Sequence, residues 1–283
     1  MKLTQIGIIV GAIIGFNVAH ADPLPDSAPV PGMGVKEGVS DLRISNKAAA
    51  IQTLASDNTA IWQMGNGDHA NVLIEQNTSG ITNGHIALVD THASKHSDVV
   101  VKQDGELNEA HVKLRYKRNN ALIDQDGLSN QARVKVQRGG RNNDLRVTQV
   151  GNENISLVKA MGGADRNEAN VYVNGSSNIT YTEFSDRRAD NNDVDVSVVG
   201  DSNYVESIVD TRGIGPARNN SVDIDLSGDG NRIFTEQIGR ESNAMVNLQN
   251  SNANEFLIKQ TSYDNAAVLG NGANGNVGLI YQN

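Results

Sequence analysis

The chain has 283 residues, a formal net charge of −9, 4% aromatic residues and no cysteine. An acidic chain of this kind is not expected to bind nucleic acid, and disulfides play no part in holding it together. With so few bulky rings, a thick globular core is excluded in favour of thin layers of β-branched side chains.

The first residues, MKLTQIGIIVGAIIGFNVAHA, read as a secretory signal. Lys2 precedes a short apolar run, and Ala19-His20-Ala21 has the small-x-small form that places cleavage after Ala21. The run is too short to span a membrane as a helix, and no later one approaches spanning length. Residues 22–56 hold Pro23, Pro25, Pro29 and Pro31 and read as a flexible leader. Within it, Asp41 to Ser56 is compatible with a short helix or a poorly matched first coil.

From Asp57 to Asn283 the chain repeats. Short alternating segments begin at Asn108 (NEAHVKL), Asn119, Asn130 (NQARVKV), Asn143, Asn154, Asn167, Asn178, Asn192, Asn203, Asn220, Asn231, Asn254, Asn265 and Asn276 (NVGLIYQ). Asp57, Asp68, Ser97 and Ser242 are weaker starts, and Thr82 to His96 matches the pattern poorly. Steps of 11 residues, such as Asn119 to Asn130 and Asn143 to Asn154, alternate with steps of varying length, such as Asn203 to Asn220, so there are two kinds of connection. One kind is fixed at 11 residues and carries Gly-x-x-Asn, with Gly105, Gly127, Gly151, Gly175, Gly200 and Gly228. The other is elastic, with steps of 11, 13, 13, 14 and 17 residues, and polar, with Arg118, Arg141, Arg166, Asp190 and Arg218 near its end.

Period-2 alternation over about six residues predicts a strand with one buried face. A strand–turn–strand–turn unit cannot bury that face alone, whereas stacked copies can. The fold expected is therefore all-β: a β-solenoid of about nine or ten stacked two-strand coils, on the order of 45 Å long at ~4.8 Å per coil. An inward amide is costly unless hydrogen-bonded, and identical amides stacked in register satisfy one another. The segment-starting asparagines, with Gln103, Gln125, Gln149, Gln237 and Gln260 (and Gln63, Gln76 and Gln282) near segment ends, are expected to form such ladders. The glycines supply positive φ at the tight corners.

The segments QDGELNEAHV (Gln103 to Val112) and QDGLSNQARV (Gln125 to Val134) carry the order Gln-x-Gly-x-x-Asn-x-Ala-x-apolar. This resembles the curlin repeat of bacterial curli fibres, over about Asp57 to Asn283. The resemblance implies a functional amyloid subunit. It would be exported through a dedicated outer-membrane pore with its accessory proteins and assembled outside the cell, with itself or with other curlin subunits, into adhesive biofilm fibres. The segments starting at Asn108, Asn130, Asn154, Asn167, Asn192 and Asn220 depart from the pattern by lacking its final Gln.

Other chemistry is sparse. His85, His92, His96 and His111 read as solvated turn histidines rather than metal ligands, and Ser227 to Asn231 lacks the spacing of a Ca²⁺-binding β-roll. No catalytic triad, phosphate loop or cofactor motif is present, so no enzyme, cofactor or metal is expected. Charge is segregated: Lys113 to Arg146 holds nine Lys/Arg against three Asp, and Asp186 to Asp229 holds ten Asp/Glu against four Arg. The final segment, NVGLIYQN, shows no polar cap, so its strand edge is expected to stay open to stacking. Two alternatives to a fibre subunit are a monomeric or tethered β-solenoid adhesin, and a polysaccharide-active β-helix enzyme using Arg212.

Overall fold

The computed structural model describes residues 36–37, 47–53, 58–63, 70–78, 84–91, 94–137, 139–185, 188–210, 216–261, 265–272 and 274–282. The expected signal segment, its cleavage point after Ala21 and most of the expected leader lie outside these residues.

Among the described residues every regular element is a strand, and the protein is an all-β β-solenoid. Strands alternate between an 11-stranded and a 10-stranded sheet as the chain proceeds. Thus Asn120–Leu128 lies in the first sheet, Gln131–Val136 in the second, Asp144–Asn152 in the first again, and Ile155–Ala160 in the second. Each strand pairs in parallel with its counterpart one coil on, with no slip in register: Gln125 faces Gln149, Gly127 faces Gly151, and Val134 faces Val158. The second sheet contributes one strand per coil, which agrees with the nine or ten coils expected. A one-residue slip would turn every buried side chain outward, so the alternation itself holds the register.

Of the two readings open for Asp41 to Ser56, a short helix or a first coil, the structure gives the coil. Lys47–Thr53 is already a strand of the first sheet, parallel to Asn71–Thr78, and Lys36–Glu37 pairs antiparallel with it. Stacking therefore starts inside the segment read as leader, with Gln52 in register with Gln76. The poorly matching region also forms a regular rung. Ile86–Asp90 sets Ala87 against Ala110 and Val89 against Val112, because two inward apolar residues suffice once both neighbouring rungs are in place.

The interior is a set of columns running along the rod. In the first sheet Val101, Ile123, Val147, Val171, Val196 and Ile224 stack in one column, all buried. Each such side chain, buried between two sheets, contributes on the order of 2 kcal/mol of transfer free energy. In the second sheet the outward positions of Glu109–Leu114 and Gln131–Val136 are polar or charged, alternating with buried apolar ones.

The fixed corner has a steric reason for glycine. Gly105, Gly127, Gly151, Gly175, Gly200 and Gly228 all have positive φ, between 100° and 141°. A Cβ on Gly127 would lie 2.0 Å from the carbonyl oxygen of Gly151, and one on Gly151 would lie 2.1 Å from that of Gly175. Stacked corners leave no room for a side chain. Gly230 also has positive φ (65°) but nothing within 4 Å of a Cβ. Gly151→Ala should therefore cost about 3 kcal/mol or more, combining backbone strain with overpacking. Gly230→Ala should cost about 1 kcal/mol. Chemical denaturation of the two variants measures the difference.

Candidate functional site

The structure's distinctive chemistry lies in its amide columns. At the fixed corner the Asn130 Oδ1 accepts two hydrogen bonds from the next rung, from the Asn154 backbone N–H (3.1 Å) and from Asn154 Nδ2 (3.0 Å). Asn154 Nδ2 also donates forward to the Gly175 carbonyl at 2.7 Å. The same three bonds recur through Asn178 and Asn203. Asn108 lies below Asn130, and Asn231 and Asn254 continue the column above. Every asparagine from Asn108 to Asn254 in this column is buried.

A second column stands at the elastic corner. Asn143 donates to Asn119 Oδ1, Asn167 to Asn143, Asn192 to Asn167 and Asn220 to Asn192, each through both its backbone N–H and Nδ2. Ser97 and Ser242 continue the column at either end: Asn119 N–H donates to Ser97 Oγ, and Ser242 N–H donates to Asn220 Oδ1. Here the forward acceptors are the carbonyls of Gly140, Ala164, Ala189, Ala217 and Gly239. Both corners thus close as small-x-x-Asn. Extra residues in the elastic turn are taken up before the small residue, which explains how its length varies without disturbing the column. The sequence shows this as ADRN, ADNN and ARNN (Ala164, Ala189 and Ala217), a signal that the spacing argument overlooked.

The residue before each ladder asparagine is also special. Ser129, Glu153, Ser177 and Ser202 at one corner, and Arg118, Arg166, Asn191 and Asn219 at the other, all have φ between 55° and 60°. Left-handed geometry costs non-glycine residues about 1 kcal/mol each. The two ladder bonds that follow are buried and offset it. A third column of side-chain oxygens, mostly carboxylate, stands at the exposed fixed corner: Asp201 Oδ1 accepts the Ser176 N–H, Asp229 the Asp201 N–H, and Asn252 the Asp229 N–H. The Gly-Asn and Gly-Asp dipeptides are its sequence trace.

Some expectations require correction. Asn265 is exposed and sits one position past the ladder, in register with Asn243. Asn58, not Asp57, holds the ladder position below His85, and Ala70, not Asp68, precedes the strand Asn71–Thr78. Gln63 falls in register with Asp90, whose column reaches Glu236, one position before Gln237. The glutamines form two ladders, one in each sheet. Gln76, Gln103, Gln125 and Gln149 bond in sequence in the first sheet at 2.8–2.9 Å. Gln237, Gln260 and Gln282 bond in the second sheet at 3.1–3.2 Å. Between them the first-sheet column continues as Val173, Val198 and Leu226, which are apolar. Each glutamine also caps a carbonyl across the interior, Gln125 on Glu109 and Gln237 on Ser221.

His85 is not a solvated turn residue. It is fully buried and takes a ladder position: its Nδ1 accepts the Asn108 N–H at 3.2 Å, its Nε2 donates to the Asn77 carbonyl at 3.1 Å, and its own N–H donates to Asn58 Oδ1. This arrangement needs the neutral ring, and burial pushes its pKa down. His96 is exposed, His111 pairs with Glu109 at 2.8 Å, and His92 lies outside the described residues. No group of three or more potential metal ligands occurs among the described residues.

The outer face of the second sheet carries a cavity of about 340 Å³, lined by Tyr204, Glu206, Phe234, Glu236, Lys259 and Leu279 among others. Tyr204 OH donates to Glu206 at 2.7 Å, and Lys259 pairs with Glu236 at 2.8 Å. Burial raises the Glu206 carboxyl above its ordinary range. Arg212, considered for an enzymatic role, lies outside the described residues.

At the last rung the interior opens. Val277–Gln282 is paired on one side only among the described residues. Ile280 is partly exposed where its neighbour in the column, Ile258, is fully buried. Asn276 donates back to Asn254 Oδ1 twice, yet no described donor reaches its own Oδ1. Val277, Leu279 and Tyr281 are 69%, 65% and 56% exposed.

Fold and columns together define a two-strand β-solenoid with amide-lined corners. A scan of the sequence against protein-family models finds no match, and a search of curated proteins finds no relative.

Two outcomes test the columns. Asn154→Ala removes the acceptor of two Asn178 donors and a donor to Gly175, and should cost about 3 kcal/mol in denaturant. Asn276→Ala, at the open rung, should cost well under half of that. For His85, the unfolded chain takes up the proton near pH 6.5 and the folded chain only at lower pH. The stability due to this group is therefore complete above about 6.5 and is lost as pH falls from there toward the folded value. His85→Asn supplies the amide used in the other rungs, and its stability relative to the parent should rise as pH drops from 7 to 5.

Proposed function

We propose that the protein is a structural subunit of an extracellular, amyloid-like fibre of the curli type, acting in adhesion and biofilm matrix. The observation that carries this reading is the last rung. Its strand edge is unpaired among the described residues, its interior column is part-open at Ile280, and the Asn276 Oδ1 has no described donor. An in-register parallel edge of this kind templates a further strand. A second copy whose edge strand Thr59–Gln63 settles on Val277–Gln282 would continue the second sheet, and the first sheet would follow once Lys36–Glu37 of that copy leaves the edge of Lys47–Thr53. The resemblance of QDGELNEAHV and QDGLSNQARV to the curlin repeat supports the same reading, as does the secretory character of the first residues, which points to export through the cell envelope.

In this reading the role is structural rather than catalytic, and the partner is another copy or a related curlin-like subunit. The cavity beside Glu206 favours one second reading, a solenoid that stays monomeric and presents a binding face. The two separate on incubation. A fibre subunit gives fibres with ~4.7 Å and ~10 Å reflections, whereas a binding module stays monomeric. Ile280→Asp places a charge in the open column while leaving the inner rungs untouched. It should slow fibre growth at least tenfold with little change in unfolding temperature, read by dye binding and calorimetry.

A further inference from the structure

The two edges of the rod carry opposite charge. Arg118, Arg141, Arg166, Arg188, Arg218 and Arg240 all lie exposed at the elastic corner, one after another along the rod. The stacking there is direct: Asp165, Asp190, Arg218 and Arg240 are linked by successive parallel bridges. Asp165, Asp190 and Glu241 offset the cations only in part, with Arg218 reaching Asp190 at 3.3 Å. The fixed corner is the reverse. It presents Asp104, Glu106, Asp126, Glu153, Asp201 and Asp229, and no Lys or Arg among the described residues. The outer face of the first sheet also carries carboxylates, and Asp144, Glu168 and Asp193 among them follow the elastic-corner asparagines directly and offset part of the arginine charge at that end. Asp193 and Asp223 there are raised above the ordinary range, first by burial and then by carboxylate neighbours, Asp195 and Glu168 for the one and Asp225 and Asp195 for the other.

In a two-strand coil these corners lie at opposite ends of the cross-section. Both repeat once per coil, so both charge rows share the ~4.8 Å spacing of the strands. Two rods laid side by side therefore bring the rows into matched intervals along their length. Charges closer than the screening length of ~10 Å at 0.1 M salt act together.

We propose that copies of this protein associate laterally, the arginine edge of one against the carboxylate edge of the next. The occupant of each edge is a second copy of this chain. The contact is heterologous, so it propagates sideways into sheets or bundles rather than closing a dimer. It is independent of end-to-end stacking, which uses the strand edges and not the corners.

Complementary charge reversal tests it. One variant carries Arg118→Glu, Arg141→Asp and Arg166→Glu. Acids are tolerated at these places, since Glu241 adopts the same left-handed conformation (φ 55°) and Asp165 and Asp190 hold the equivalents of Arg141. The other carries Glu106→Lys, Asp126→Lys and Glu153→Lys, all outside the two buried asparagine columns. At about 20 mM salt the parent should pair laterally, seen as side-by-side rods or bundled fibres in electron microscopy and as faster sedimentation. About 0.5 M salt should weaken pairing at least tenfold. Each variant alone should remain single, and an equimolar mixture should pair again. Failure of end stacking would remove fibres altogether, whereas failure of this proposal would leave fibres whose bundling ignores charge. The proposal is overturned if pairing is insensitive to salt, if either variant alone pairs like the parent, or if two variants with parent-like circular dichroism do not pair when mixed. It is also overturned if the parent stays single at low salt while poly-glutamate binds the arginine edge, which would make an anionic polymer the occupant.

Discussion

One hydrogen-bonding arrangement underlies the structure: an asparagine side-chain oxygen that accepts both the backbone N–H and the side-chain N–H of the asparagine one coil on. It works only when successive coils are in register and the same residue recurs at each corner. It then satisfies polar groups that the thin interior could not otherwise bury. The small Val, Ile and Ala columns between the corners supply the apolar area. The asparagines decide where each coil turns, and the backbone before them is held left-handed so that the amide can aim along the rod.

This division of labour explains the low aromatic content. A two-layer interior one side chain deep has little space for rings, and Phe184 is buried in a rung where neither sheet places a glutamine. It also explains why the glutamine stacks can stop and resume on the opposite sheet. A glutamine end caps a carbonyl across the interior, but a valine in its place leaves a dry, close-packed column, so this position tolerates either solution. The corner asparagines are less replaceable, and serine or histidine takes over only toward the rod's ends, at Ser97, Ser242 and His85.

Much of this was legible in the sequence, because a parallel stack reads its own period. The two-strand coil, the alternation and both asparagine columns follow from residues spaced 11 apart and from Gly-x-x-Asn. What escaped has physical reasons. Asn265 looks like its homologues along the chain but lies one position past the ladder, and a spacing rule cannot see a single-residue offset. His85 hid because a lone histidine in a poorly matching stretch carries no amide, although its ring nitrogens reproduce the same acceptor and donor. Which sheet each glutamine ladder belongs to was not legible, because a linear sequence does not say on which sheet a segment end will fall. The left-handed residues before each asparagine leave no compositional trace at all, being serine, arginine, glutamate or asparagine.

The curved geometry of the corners also sorts charge. Fixed turns of minimal length expose glycine and acidic residues, whereas elastic turns have room for arginine, and stacking repeats each choice along the rod. Surface electrostatics here thus follow from the same in-register repetition as the interior.

The most direct test is hydrogen exchange at the backbone amides of Asn130, Asn154, Asn178 and Asn203, followed by NMR. These N–H groups donate to side-chain oxygens and not to a sheet partner, so their protection reports the ladder alone. The account predicts that they exchange only through global opening, as slowly as the strand amides of Val147 and Val158. Exchange at the rate of exposed turn amides, with the strands still protected, would contradict it.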